Sequence, residues 1–584
     1  MTQTGVSIKS ILAVDCGNVS TTALLIELVE GHFQLAATGR ATSTHTAPWQ
    51  DMVIGVQQAI QQIERTTKRT LLASGNWPIN PRNTSGQGVD AFIVVSSAGT
   101  PLPVALVGLA QDISLASARR AVAMTYASVT NELSLDSGQR SADARIQALR
   151  EGQPETILLV GGADGGAERP VTELANVVSM AVQLLQSVKK PNILFAGNSQ
   201  ARTHVAQILQ PVANLGILEN VRPTLEKEQL VPVQTELEKI YTQRRMARLP
   251  GYDKLSKWSN WPIIPTSKSF ERVMAYLGQQ HALNVIGVDV GSSATQIAAQ
   301  THDYHTSAVR TDAGVGHGLA GLLKKTSLEK FQRWLPFEMS LEMLHNHLLN
   351  KSLHPASVPT DEQSLMIEYA IAREAIRLTM THIQAAWRAQ TTVGRYGPQW
   401  HWLIGGGQTL TGPPNLGYAA LMLLDGTESW GVTKLSLDVG KAANVLGSIA
   451  AVEPAAAVEV AAHHSTFLNL GTVIAPLGHG PLNKTAVKLK FVDEAANTEE
   501  FNVPYGTIQL IDLPPGKKAT LEMRPTRFFD IGLGQPGRGA VAEVEGGLLG
   551  LIIDARGRPL RLAQNENRRW EQLVQWLTAL RINS

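Results

Sequence analysis

Two segments of this chain are near copies of each other, about 270 residues apart, and they constrain the fold more than anything else in it. The first reads Ile11-Leu-Ala-Val-Asp15-Cys-Gly17-Asn18-Val-Ser-Thr21, the second Val285-Ile-Gly-Val-Asp289-Val-Gly291-Ser292-Ser293-Ala-Thr295. Each is a four-residue apolar run, then Asp-x-Gly, then a small polar turn ending in Thr. The apolar run is that of a buried strand, and glycine lets a turn bring its backbone N–H groups close to a ligand. A carboxylate at the strand end can hold a hydrated divalent cation, and Ser and Thr hydroxyls can donate to phosphate oxygens. One copy alone is a common hairpin. Two copies facing each other form a phosphate clamp, with a nucleotide between duplicated lobes.

Further glycine-rich turns follow strand-like runs. Gly405-Gly406-Gly407 ends His401 to Ile404, downstream of both hairpins, where an element packing against adenosine would have to lie; a tight turn is the plainer reading. Gly161 to Gly166 encloses Asp164 and reads either as a backbone nest near phosphates or a cation, or as a wide loop at a strand end. Gly316 to Gly321 fits G-x-G-x-x-G, but no long apolar strand precedes it, so a dinucleotide site is not read there. No P-loop pattern occurs.

The 584 residues allow three or four domains. Strand-like runs alternate with helical ones through most of the chain, which is the pattern of α/β layers. Boundaries are expected as a first lobe over 8–282 with a helical insertion near 199–280, a second lobe over 283–452, and an Ala-rich linker over 453–464. A β-rich domain closed by a terminal helix is expected over 465–584, because short alternating strands with Pro and Gly turns replace the α/β pattern there.

Composition excludes several classes. A net charge of +2 does not provide the basic face of a nucleic-acid binder. The single cysteine, Cys16, rules out disulfides within the chain and cysteine-bound clusters, which also removes an activator of the iron–sulfur type. There is no signal-peptide pattern and no apolar run of membrane-spanning length, so the expected location is cytoplasmic, without a membrane partner.

The order of these elements resembles the actin, sugar-kinase and heat-shock-chaperone ATPase superfamily. More narrowly, the chain is similar to the MutL/GlmL family associated with adenosylcobalamin-dependent glutamate mutase. The residues that carry this are Asp15-Cys-Gly17, Ser96-Ser-Ala98 with Val107-Gly-Leu109, Leu159 to Gly166, Phe195-Ala-Gly-Asn198, Pro265-Thr266, Asp289-Val-Gly291, Ala370 to Arg377 and Ile404 to Gly407. The resemblance ends before about residue 465.

It implies an α/β fold of two ribonuclease-H-like lobes, with ATP and Mg²⁺ as cofactors. Asp15 and Asp289 would hold Mg²⁺ through water. Gly17, Asn18, Thr21, Gly291, Ser292, Ser293 and Thr295 would cradle the phosphates, and Gly405, Gly406 and Gly407 would meet adenosine. It also implies a protein partner, a cobalamin-dependent mutase subunit, which the chain would reactivate or chaperone with slow or partner-stimulated hydrolysis. Val19 and Gln296 depart from the family pattern around the phosphates, and Arg is missing after Asp312-Ala-Gly314. Two other readings stay open on the same scaffold: a small-molecule kinase with Asp164 as base, and a scaffold protein that does not hydrolyse.

Overall fold

A computed structural model describes residues 8–136, 141–185, 190–259, 261–390 and 397–581. The described chain divides into two compact units. One comprises residues 1–96, 254–307 and 312–584; the other comprises 97–253 and 308–311.

The first unit begins with β1 (Ser10–Cys16), β2 (Ser20–Val29), β3 (His32–Thr42) and β4 (Ala91–Ser96). Ile11 to Val14 of β1 are fully buried, as a central strand covered on both faces must be. β1, β2 and β3 form an antiparallel meander, and β4 joins the free side of β1 in parallel.

The chain then enters the second unit. Its strands are β5 (Leu102–Gly108), β6 (Ala127–Ser134), β7 (Thr156–Leu159), β8 (Asn192–Phe195) and β9 (Asn214–Ile217). They pair in parallel throughout, in the order β6-β5-β7-β8-β9. A separate core built on Val107, Ile157, Leu159, Val178 and Phe195 holds this unit together.

Back in the first unit, β10 (Ile264–Pro265) adds to β4 in parallel, which completes the order β3-β2-β1-β4-β10. The same arrangement is then built again. β11 (Val285–Val290), β12 (Thr295–Gln300) and β13 (His305–Arg310) are followed by β14 (Trp402–Gly406), parallel to β11, and β15 (Gly431–Leu437), parallel to β14. Their order is β13-β12-β11-β14-β15. Numbered within each lobe, both sheets read 3-2-1-4-5, and strand 1 pairs antiparallel with strand 2 and parallel with strand 4 in each. This duplicated topology is the actin-like ATPase fold of two ribonuclease-H-like lobes.

One core runs between the lobes. Ile11, Ile93 and Val95 from the first sheet and Val285 and Ile404 from the second meet the helices Thr266–His281 and Ala443–Ile449 within it. These helices approach closely at Gly447, where a Cβ would lie 2.1 Å from the Ser269 carbonyl oxygen.

Three expected boundaries change. The insertion is not a helical stretch at 199–280 but a complete α/β unit that starts at 97, and helix Thr266–His281 belongs to the core between the lobes. Buried parallel strands such as β5 and β7 look alike in any sheet, so their apolar runs do not reveal which sheet they join. The 453–464 segment is no linker: it contains helix Pro454–Ala462, whose Ala456 and Val460 are fully buried in the shared core.

The C-terminal region is β-rich as expected, but the sheet does not end at 465. β16 (Leu468–Ala475) pairs with β15; β17 (Leu477–Gly478), β18 (Thr485–Asp493) and β19 (Thr498–Pro504) follow it. β20 (Ile508–Ile511), β21 (Lys518–Pro525), β22 (Phe529–Asp530), β23 (Ala540–Glu545) and β24 (Leu551–Asp554) complete the region. β24 pairs with β16 and β20 with β24, which extends the second lobe to an eight-stranded sheet. The four-stranded sheet β19-β18-β21-β23 packs on these strands through Val487, Leu489, Leu521, Leu551 and Ile553.

Buried charges add to this union. Arg556 donates to Asp554 and to Asp425 of helix Leu416–Thr427, and Asp425 also accepts from Arg373 of the long helix Glu362–Gln390. Arg558 also pairs with Asp554, and the Arg556 guanidinium lies 4.6 Å from the Trp576 ring centre in the terminal helix Glu566–Ala579.

Candidate functional site

The two hairpins share their turn geometry as well as their sequence. Gly17 N–H donates to the Ser20 carbonyl at 3.0 Å, and Gly291 N–H donates to the Ala294 carbonyl at 2.9 Å. The turns stand half-exposed at the ends of otherwise buried strands. They touch: the Asn18 amide donates to Ser293 Oγ at 2.6 Å.

Behind the tips lie the aspartates. Asp15 is almost fully buried, and both of its oxygens are engaged. Oδ1 accepts from Thr266 Oγ1 at 2.8 Å and Oδ2 from Asn444 Nδ2 at 3.1 Å. Lys441 Nζ lies 4.0 Å from Oδ2 and 3.3 Å from Ser20 Oγ, to which it donates. Asp289 stands opposite Gly406 in the register of β11 and β14. A Cβ on Gly406 would lie 3.0 Å from Asp289 Oδ2, so this glycine leaves room beside the carboxylate. Burial pushes the Asp289 pKa up to about 6, with Lys441 opposing the shift and Asp15 adding to it.

A third carboxylate, Asp438, follows β15. It accepts the N–H groups of Ala442 and Ala443 at 2.8 and 2.9 Å, where helix Ala443–Ile449 begins. Burial raises its pKa to about 7; those two hydrogen bonds and Lys441 hold it down, and Asp289 pushes it up. Lys441 thus partly offsets the burial that disfavours the charged forms of Asp289 and Asp438.

Asp438, Lys441 and Asn444 escaped the sequence reading, and Thr266 entered it only within Pro265-Thr266, without a role at the site. Asp438-Val439-Gly440 is a third Asp-x-Gly turn, which could have been found by its pattern. The preceding Lys434, half-buried, and Ser436, buried where it accepts from Trp402 Nε1, break the apolar run. Cys16 is buried, and burial followed by the Asp15 charge pushes its thiol pKa far up, which keeps it unreactive.

Several expected site residues have other uses. Thr295 Oγ1 donates its only proton to the Ala313 carbonyl at 2.6 Å, so it has none for a phosphate. Thr21 is buried beside Gly55, where a Cβ would come within 3.2 Å of its hydroxyl. The N–H groups of Gly17 and Gly291 close their turns. That leaves Asn18, Ser292 and Ser293 as the half-exposed polar side chains of the expected set. Ser292 Oγ meets His317 Nδ1 at 3.0 Å and accepts the His317 N–H at 3.2 Å.

The three glycines divide in role. Gly405 abuts Leu423 and Leu437, Gly406 borders Asp289, and Gly407 adopts φ +87° where a Cβ would lie 2.2 Å from the Val290 carbonyl oxygen. Asp164 belongs to the unit of residues 97–253. Its Oδ1 accepts from Ser199 N–H at 2.9 Å and Asn220 Nδ2 at 3.0 Å, which fastens the Gly161 to Gly166 loop. Burial alone would raise its pKa, but those bonds and Arg202 hold it below the usual carboxylate value.

Among the described residues no group of three His, Cys, Asp or Glu side chains could hold a metal ion directly. The donor set instead fits a cation that keeps its water shell. The carboxylates are present, and Asn444 Oδ1 is buried with no hydrogen-bond partner, an acceptor suited to an ion's water. No helix among the described residues is long and apolar enough to cross a membrane.

A family model described as MutL protein matches residues 11–465, most of the chain, and the chain belongs to that family. No curated protein matches its sequence. Among solved structures it is similar to a nucleotide-free acetone carboxylase, at 11% identity over 85% of this chain and 81% of that one, TM-score 0.31. A glycerol dehydratase reactivase matches at 10% identity over 72% of this chain and 95% of that one, TM-score 0.28. The ethanolamine utilization protein EutJ from Carboxydothermus hydrogenoformans matches at 10% identity over 76% and 89%, TM-score 0.25. At these values the functional argument rests on the family and on the site.

Proposed function

We propose that this protein is an ATP-using accessory factor that changes the state of a protein partner, with a cobalamin-dependent mutase as the partner class that its family resemblance implies. The observation that carries the nucleotide reading is the meeting of two equivalent hairpins at Asn18 and Ser293, with Asp15 and Asp289 behind them. Phosphates would lie at the tips and take donors from Asn18, Ser292 and Ser293, and adenosine would lie toward Gly406 and Gly407. A bound Mg²⁺ would neutralise phosphate charge, and Asp15, Asp289 and Asn444 would receive its water shell. Because both lobes contribute, nucleotide binding favours one lobe arrangement, and a partner that prefers that arrangement feels the nucleotide state.

Hydrolysis without a partner is expected to be slow. Phosphoryl transfer depends on positioning and electrostatics. Val19 provides no hydroxyl, and Thr295 is committed to a backbone carbonyl. Turnover should fall well below the enzyme median of about 10 per second. The kinase reading would use Asp164 as its base, a carboxylate whose Oδ1 already accepts from Ser199 and Asn220.

Titration calorimetry with Mg-ATP tests the proposal. Saturable binding that Asp289→Ala abolishes or weakens at least tenfold is expected. A folded wild-type chain that binds no ATP would defeat it. Turnover that accelerates only with a small hydroxylated acceptor would transfer the case to a kinase.

A further inference from the structure

The second lobe contains a polar cavity of about 270 Å³ that the nucleotide reading does not use. It lies where helices Leu319–Lys325, Leu328–Gln332 and Glu362–Gln390 meet the end of Leu416–Thr427. Lys325, Lys330, Arg333 and Arg377 line it, with Glu374 and Glu428 as its carboxylates.

A self-contained ion-pair network would end neutral, and this one does not. Glu374 is buried and accepts from Arg333 and from Trp334 Nε1. Glu428 accepts from Arg377, which also donates to the Asp425 carbonyl at 3.0 Å. That bond serves the carbonyl end of helix Leu416–Thr427, so the lysines are not needed there. Four cations thus face two carboxylates that the arginines already occupy, and two positive charges remain.

The arginines are also pre-set. Arg333 lies over the Trp334 ring, 5.0 Å from its centre, besides its bond to Glu374. Its Nε is buried without a hydrogen-bond partner. Arg333 therefore keeps donor capacity that its protein neighbours do not use, and guanidinium donors suit an oxyanion. The cavity is slightly smaller than a typical ligand pocket of about 300–1,000 Å³, which suits a small anion.

We propose that this cavity binds a phosphate dianion, free or as the monoester of a small molecule, with Arg333, Lys325 and Lys330 as its donors. The site does not depend on nucleotide binding at the hairpins.

The test is calorimetry of the full-length protein with inorganic phosphate and with glycerol 3-phosphate, against chloride at equal ionic strength. Two variants accompany the wild type. Lys325→Gln/Lys330→Gln changes only exposed lysines, and Arg333→Lys keeps the charge while removing the Nε donor. Wild type should bind at least one of the two phosphates saturably, and both variants should bind at least tenfold more weakly, the double lysine variant with unchanged melting temperature in chloride. Binding of inorganic phosphate alone supports the free ion as occupant, and binding of glycerol 3-phosphate supports an ester. Phosphate held elsewhere, including at the hairpins, would bind wild type and variants alike, and that result overturns the proposal. So does a wild type that binds neither phosphate.

Discussion

The two lobes repeat one strand order around one motif, yet their aspartates have become different chemical objects. Asp15 is locked, with each oxygen accepting a hydrogen bond from a buried side chain. Asp289 has a glycine beside it and a pKa raised to about 6. The fifth strands differ as well. β10 of the first lobe is two residues long and ends in Pro265, whereas β15 runs for seven and carries β16, β24 and β20 beyond it. Duplication preserved the frame. One half supplies a fixed anchor, and the other supplies the responsive carboxylate on a larger sheet.

The largest effect should come from breaking that larger sheet. A chain ending near residue 460 would lose β16, the partner of β15, with the strands beyond it, and Arg556 beside Asp425. It should be insoluble or unfolded. A subtler version is Arg556→Met, which leaves Asp554 and Asp425 buried with less compensation. Removing one partner of a buried ion pair costs about 3–5 kcal/mol. Denaturant unfolding should show a loss of that order, and a soluble truncated chain that still binds ATP would show that the second lobe is complete without its added strands.

Next in size is the contrast between the two aspartates. Asp15→Ala leaves Thr266 and Asn444 as buried donors without an acceptor, at about 1–3 kcal/mol for each group left unsatisfied. Asp289→Ala removes a carboxylate whose charge burial disfavours, so it should spare stability and lower nucleotide affinity. Thermal melts and calorimetry on the pair separate the two roles. Equal stability losses would show that the aspartates are equivalent after all.

The same difference sets a pH dependence. The folded pKa of Asp289 lies above the reference value, from 3.8 to about 6, so the native state holds this proton more tightly than the unfolded chain does. Its contribution to stability is therefore greatest at acid pH, falls as pH rises from about 4 to 6, and is absent above that. Two pKa units correspond to about 3 kcal/mol at most. Asp438, raised to about 7, acts with the same sign over a wider window. Urea melts from pH 4.5 to 8 should decline more steeply for wild type than for Asp289→Asn. Mg-nucleotide binding needs the ionised form and should weaken below pH 6. Parallel profiles for the two proteins would remove Asp289 as the titrating group.

What was legible in the sequence was local. The hairpins could be read because β1 and β11 are continuous apolar runs that end in a distinctive turn, and β14 because three glycines close it. Partners distant in the chain could not. Thr266 and Asn444 reach Asp15 across 251 and 429 residues; Asn444 stands in no motif, and Pro265-Thr266 carries no sign of its partner. Strands β16 and β24 alternate or run apolar as any strand would, so nothing in them announced that they extend β15. The bond of Thr295 was hidden for a related reason: a motif shows which residues are near a turn, not which way a proton points.

The smallest effect is at the point where the lobes touch, and its sign is informative. The Asn18 to Ser293 bond joins neutral groups, and such a bond contributes about 0.5–1.5 kcal/mol. Asn18→Ala should lower the melting temperature of the nucleotide-free protein by only a few degrees or less. Its effect on ATP affinity pits two terms against each other. Without Asn18 there is no bond to break when phosphate enters, which favours binding. The phosphate also loses a donor, and hydrogen bonds to charged groups are worth about 1.5–3 kcal/mol. The second term is larger, so Asn18→Ala should bind Mg-ATP several-fold more weakly. Tighter binding in calorimetry would mean that Asn18 serves only to hold the hairpins together, and the two tips would then differ in chemistry as much as the two aspartates behind them.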